Sequence, residues 1–259
     1  MTILAVRLIL ESSQQGIFMK YLILSLALAT SVPAVYAQDD LEDLSKVNGS
    51  VTAKAGRAYG DVSTVNGSIS IESKATAQDV DTVNGEITVD SGAKIGDVST
   101  VNGEIILRND VSTRSVETVN GSITGVSNVR IEKNVEAVNG SIEIGANSVI
   151  QGSVENVNGS IKLLALKVQG NIETVNGNIT LGDNTEITGS ITVRKATGWG
   201  MNWGKPKVPR IVIGPNVQVH GPLVFEREVE LYVHSSAKLH GKITGATAVS
   251  YTDKVPNSK

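Results

Sequence analysis

Residues 60–77 read GDVSTVNGSISIESKATA, and residues 78–95 read QDVDTVNGEITVDSGAKI. The two stretches align without a gap. Val62, Val65, Ile69 and Ile71 of the first fall on Val80, Val83, Ile87 and Val89 of the second, and on Val154, Val157, Ile161 and Leu163 of a later one. The shared triplet Val-Asn-Gly begins at Val47, Val65, Val83, Val101, Val119, Val138, Val157 and Val175, at spacings of 18, 18, 18, 18, 19, 19 and 18 residues. A period that short and strict marks a solenoid, in which each repeat is one rung stacked on the last.

Ile69 and Ile71, like Ile87 and Val89, alternate with polar residues, the period of a half-buried strand. No helical period is sustained after residue 45, so the class is all-β. Asn-Gly tolerates positive φ, so Asn48, Asn66, Asn84, Asn102, Asn120, Asn139, Asn158 and Asn176 are expected at sharp corners. The same side-chain order recurs in every repeat, which parallel stacking explains and a hairpin meander does not. The stacked asparagines either pair their amides up a column or serve backbone shape alone; both accounts stand at this point. A second corner lies six residues before each Asn, at Gly60, Gly96, Gly152 and Gly170, with Gly189 in phase and Gln78, Arg114 and Lys133 in the variant rungs. The expectation is a single-stranded parallel β-helix with about 18 residues per rung. Crossover preference favours a right-handed coil. Eight marked rungs and roughly three more give a rod on the order of 50 Å long.

Residues 1–37 are expected to be an N-terminal extension and a cleaved signal peptide: Met19-Lys20 opens a charged start, Tyr21 to Ala29 is apolar, and Val35-Tyr36-Ala37 suits signal peptidase. Met19 is an alternative start to Met1, and a membrane anchor is the competing reading, with an apolar run too short to span comfortably. Residues 38–45 form an acidic lead-in or cap, 46–193 the regular β-helix, 194–210 a Gly/Pro/Trp loop insertion, 211–250 the closing rungs, and 251–259 a tail.

Composition narrows the function classes. The chain contains no cysteine, which excludes disulfide staples and a cysteine-borne lipid anchor. Without Arg7, Lys20 and Glu11 the 23 basic and 26 acidic residues become 21 and 25, a net charge of −4 with no basic cluster, so nucleic acid is not an expected partner. No second apolar span follows the signal, so no membrane span is expected after its removal.

Four features are candidate sites. Trp199 and Trp203, flanked by Lys205 and Lys207, lie in the insertion and could stack on sugar rings or anchor a partner; the bland account is that they fold back on the rod. Glu117, Glu136, Glu155 and Glu173 recur two residues before the Val of Val-Asn-Gly, with Asp81 in the same slot earlier. They would form an acidic stripe, most simply a solvated face and otherwise a weak divalent-cation candidate. His220 and His240 precede the Gly of equivalent corners, where Gln151, Gln169 and Thr188 sit elsewhere, and so read as turn positions. Thr64, Thr82, Thr100, Thr118 and Thr174 form a column that suits strand propensity; ice binding would need a second column beside it. No metal ligand set, cofactor motif or nucleophile elbow is recognisable.

The run of VNGSI and VNGEI rungs, closed by Phe225-Glu226-Arg227-Glu228-Val229-Glu230-Leu231-Tyr232-Val233-His234, resembles exported bacterial VNG-repeat proteins, grouped with adhesin-like β-solenoids, over roughly residues 45–250. Corners such as Ile150-Gln151-Gly152-Ser153-Val154 are also similar to the bactofilins, polymer-forming β-helices, from which the export signal sets this chain apart. The resemblance implies a non-enzymatic structural or adhesion-type element of the cell envelope, periplasmic or at the surface. Its implied partners are further copies stacked end to end, or an envelope glycan or protein. The alternatives are a polysaccharide-active β-helix enzyme and a hexapeptide-repeat acyltransferase. The every-sixth series Val65, Ile71, Ala77, Val83, Val89, Ile95 and Val101 suits the coil of the latter.

Overall fold

The computed structural model describes residues 41–195 and 208–256. These residues form three parallel sheets running the length of a β-solenoid. The first has 11 strands, from Leu44–Asn48 to Ile243–Thr244; the second has 11, from Val51–Ala53 to Ala248–Tyr251; the third has 9, from Thr76–Ala77 to Lys238–Leu239. Each turn of the chain contributes one strand to the first two sheets and, in most rungs, one to the third. The stacking is in register: Val62 lies on Val80, Ile69 on Ile87, Ile71 on Val89 and Ala77 on Ile95. The expected all-β parallel β-helix with 18- to 19-residue rungs is therefore the fold.

Each rung points two residues inward from each sheet. In the rung from Val62 these are Val62 and Thr64, Ile69 and Ile71, and Ala75 and Ala77, all buried. Like stacks on like, so β-branched side chains form continuous columns with little space between rungs. Complete burial of each Val or Ile contributes roughly 1.5–3 kcal/mol. The series of every sixth residue is not the inward series. Ile71, Ala77, Val89 and Ile95 are buried, but Val65, Val83 and Val101 stand half-exposed on the outer face. Strand parity is the reason: Val62 faces in, so Thr64 faces in and Val65 faces out.

The Thr column is consequently core, not surface. The Oγ1 of Thr64, Thr82, Thr100 and Thr118 donates to the carbonyl of Gly49, Gly67, Gly85 and Gly103 in the rung before, at 3.0–3.3 Å. Where Asn156 takes the slot, its Nδ2 donates to the Gly140 carbonyl at 2.6 Å, leaving its buried Oδ1 without a hydrogen-bond partner. A buried threonine row satisfied in this way has no face to offer ice.

The corners also differ from the Asn-Gly expectation. None of the eight asparagines is left-handed; seven end extended strands and Asn176 lies in a bend, and the chain turns just after them at Gly-Ser, Gly-Glu or Gly-Asn. Glycine is required there by close approach: a Cβ on Gly103 would lie 1.8 Å from the Gly85 carbonyl oxygen. Among the described non-glycine residues, positive φ is confined to a third corner, between the second and third sheets, at Lys74, Asp110, Asn128, Asn147, Ala165, Asn184 and Asn216, with φ of 51–61°. Gly56 and Gly92 hold the same slot at 67° and 76°.

The aromatic residues described lie at the two ends. Tyr59 is buried in the first rung, with its hydroxyl accepting from the Lys54 N–H at 3.0 Å. Phe225, Tyr232 and Tyr251 are buried in the last ones, and the Tyr251 hydroxyl donates to the Ile213 carbonyl at 3.2 Å. Register is kept on either side of the insertion, with Ile191 on Ile172 and Val193 on Thr174 before it and Ile211 on Ile179 and Ile213 on Leu181 after it. No helix among the described residues is long and apolar enough to cross a membrane.

Candidate functional site

The outer face of the first sheet gathers most of the sequence-predicted features into parallel columns. Along its edge the eight asparagines form one unbroken amide ladder. Each Nδ2 donates to the Oδ1 one rung earlier: Asn66 to Asn48, Asn84 to Asn66, Asn102 to Asn84, Asn120 to Asn102, Asn139 to Asn120, Asn158 to Asn139 and Asn176 to Asn158, at 2.9–3.1 Å. Amide pairing is thus realised, on an exposed edge and not in the buried interior. The ladder is polar, with donors facing the N-terminal end. Its acceptor end, left open because no ninth asparagine follows, is closed by the Arg227 guanidinium, whose Nη1 donates to Asn176 Oδ1 at 2.6 Å and to the Val175 carbonyl at 3.0 Å. A cation there suits the negative end of an aligned row of dipoles.

Beside the ladder runs the column Val47, Val65, Val83, Val101, Val119, Val138, Val157 and Val175, outward-facing and partly exposed throughout. Next comes the acidic column. Glu117 pairs with Glu136, Glu136 with Glu155 and Glu155 with Glu173, one carboxylate per rung. Ser99 and Asp81 precede them, joined by a Ser99 Oγ hydrogen bond to Asp81 Oδ1 at 2.5 Å. Burial against neighbouring side chains, aided by adjacent like charges, pushes Glu117 and Glu155 up to about 7 and Asp81 up to about 6. The column is therefore not the fully ionised, freely solvated stripe that the spacing alone suggests. Arg194 ends it with a two-pronged bond to Glu173, at 2.7 and 3.1 Å.

A fourth column, at the corner, is a second ladder of different chemistry. The Oδ1 of Asp43, Asp61 and Asp79 accepts the backbone N–H of Asp61, Asp79 and Asp97, one rung on, at 2.9–3.3 Å. Asn134 and Asn171 do the same for Ser153 and Ser190, both at 2.9 Å. Arg114 bridges Asp97 and Asp79, and its bond to Asp97 holds that carboxyl below the usual carboxylate range. Sequence reasoning missed this ladder, although the run Asp61, Asp79, Asp97 at the 18-residue period signals it.

His220 and His240 stack with ring centroids 4.9 Å apart and planes 3° apart, and His220 Nε2 lies 3.4 Å from Glu186 Oε1. Among the described residues no group of three or more His, Cys, Asp or Glu is placed to hold a metal ion; the four glutamates run along the rod, one per rung. Trp199, Trp203, Lys205 and Lys207 lie outside the described residues. No protein-family model matches the chain, and neither does any curated protein or solved structure, so the parallel β-solenoid fold stands on the sequence period and the strand register alone.

Proposed function

We propose that the chain is a non-enzymatic, exported rod of the bacterial cell envelope, of the structural or adhesion type that its likeness to VNG-repeat proteins suggests. One observation carries this reading. The polar residues of the repeats bond to the equivalent residue of the next rung, as in the asparagine ladder and the Asp43-Asp61-Asp79-Asp97 ladder. Such side chains stiffen a scaffold and present the same surface at every rung. Many weak contacts along one face then sum through multivalency.

The first rung bears on end-to-end assembly. Lys46 pairs with Thr64 and so holds an inward slot, yet it is exposed at the strand edge with its Nζ donating to the Ser50 carbonyl at 2.7 Å. An inward-pointing charge on an edge strand opposes pairing with another chain. The reading is accordingly a rod of fixed length in preference to a polymer.

Within this reading Trp199 and Trp203, with Lys205 and Lys207, are the contact to an envelope glycan. Sedimentation of the purified chain with isolated cell-wall material tests it, against a Trp199→Ala/Trp203→Ala variant. Binding that falls at least tenfold in the variant supports the reading. Equal binding by both chains removes the tryptophans from it, and no binding by either removes the adhesion role.

A further inference from the structure

Eight Asn-Gly pairs on an exposed edge carry a chemistry of their own, since asparagine is among the thermally labile residues. The glycine backbone nitrogen attacks the asparagine Cγ. An N–Cγ bond forms, the Cγ–Nδ2 bond breaks, and the amide leaves as ammonia with the proton of the attacking nitrogen. Water then opens the cyclic imide at either carbonyl, giving aspartate or isoaspartate. Attack requires a glycine N–H released from any acceptor.

In the regular rungs that condition is denied. The N–H groups of Gly49, Gly67, Gly85, Gly103, Gly121 and Gly140 donate to the asparagine carbonyl of the next rung at 2.8–3.1 Å. Freeing one of them means parting two strands. The side-chain bonds of the ladder are a weaker lock, because an exposed amide escapes by rotating about its own bonds.

Gly159 is the exception. The strand Ile172–Thr174 stops short of its Val-Asn-Gly, and the chain bends: Gly177 N–H donates to Thr174 Oγ1 at 3.0 Å and Asn176 N–H to the Val157 carbonyl at 2.9 Å. The Asn176 carbonyl no longer receives the Gly159 N–H, which has no acceptor among the described residues, and Gly159 sits at φ 140°. The next rung offers no Val-Asn-Gly to hold the bend down, since Arg194-Lys195 leads into the insertion.

We propose that Asn158 is a site of spontaneous deamidation, and that strand stacking protects the regular Asn-Gly pairs of the rod. The product at 158 can no longer donate to Asn139 Oδ1, now met at 2.9 Å, so the ladder parts between those rungs. The test is peptide mapping by mass spectrometry of the full chain, held folded at mildly alkaline pH, beside a sample held in denaturant. Asn139 and Asn158 fall in one tryptic peptide, residues 134–162, so fragment ions give their ratio directly. Conversion at Asn158 at least ten times that at Asn139 in the folded chain, and equal conversion in denaturant, is the expected result. Equal conversion in the folded chain, or Asn139 ahead, overturns the proposal.

Discussion

Raising the pH from 5 to 8 should weaken this rod. Glu117 and Glu155 are pushed up to about 7 from 4.5, first by burial and then by neighbouring carboxylates: Glu136 beside Glu117, and Glu136 and Glu173 beside Glu155. The folded state therefore holds these protons more tightly than the unfolded chain does. Their stabilising contribution is complete below about pH 4.5 and is lost as the pH rises through about 7. The lowered carboxyls, Asp97 with Arg114 and Glu186 with Lys167, work the other way, but their effect is confined to acid below about pH 4.5. One unit corresponds to about 1.4 kcal/mol, so a rise of about 2.5 units would give about 3 kcal/mol for each glutamate. Partial exposure and screening by solvent reduce that to about 1–2 kcal/mol each, or about 2–4 kcal/mol together. For a chain of this size the midpoint of thermal unfolding should then fall by roughly 5–15 °C between pH 5 and 8. Circular dichroism melts across that range measure it, with midpoints compared because repeat arrays need not unfold in two states. A Glu117→Gln/Glu155→Gln chain should lose most of the slope above about pH 6, Asp81 with its carboxyl pushed up to about 6 keeping a share below that, and should melt higher than the parent at pH 8. A midpoint that is level or rises from pH 5 to 8, or an undiminished slope above about pH 6 in the double variant, refutes the reasoning.

Four substitutions probe the stacking itself. Gly103→Ala places a Cβ 1.8 Å from the Gly85 carbonyl oxygen and should cost more than about 3 kcal/mol in denaturant unfolding, whereas Gly56→Ala, with nothing within 4 Å and only its φ of 67° against it, should cost about 1 kcal/mol. Asn102→Ala removes two ladder bonds, to Asn84 and from Asn120, and should lower stability by about 1–2 kcal/mol, as measured by the denaturant midpoint. Thr100→Val keeps the shape of a buried column but loses the bond to the Gly85 carbonyl, and should cost about 1 kcal/mol by the same measurement.

The period of Val-Asn-Gly was enough to read the fold, because a chain that repeats every 18 residues and alternates at Ile69/Ile71 can stack only as rungs. What it hid was which residue faces in. Hydrophobicity selects Val65 over Thr64, whereas parity from Val62 selects Thr64, and parity wins because a threonine hydroxyl finds a carbonyl inside the rod. The left-handed corner was missed for a related reason. Asn-Gly is the loudest turn signal, but here its glycine answers the approach of stacked backbones. The real left-handed slot carries Lys74 and Ala165 among its asparagines and is therefore diffuse in sequence. The acidic stripe was legible as a column, and its raised protonation range was not, since that depends on burial against neighbouring rungs.

With its polar columns satisfied from rung to rung and the first described edge guarded by Lys46, the chain should be a rod of fixed length. Light scattering with negative-stain imaging of one purified sample tests this most directly. The expected result is a single population of rods on the order of 50 Å long, one chain each. Filaments many rods long would contradict it and would make the chain a polymer-forming scaffold.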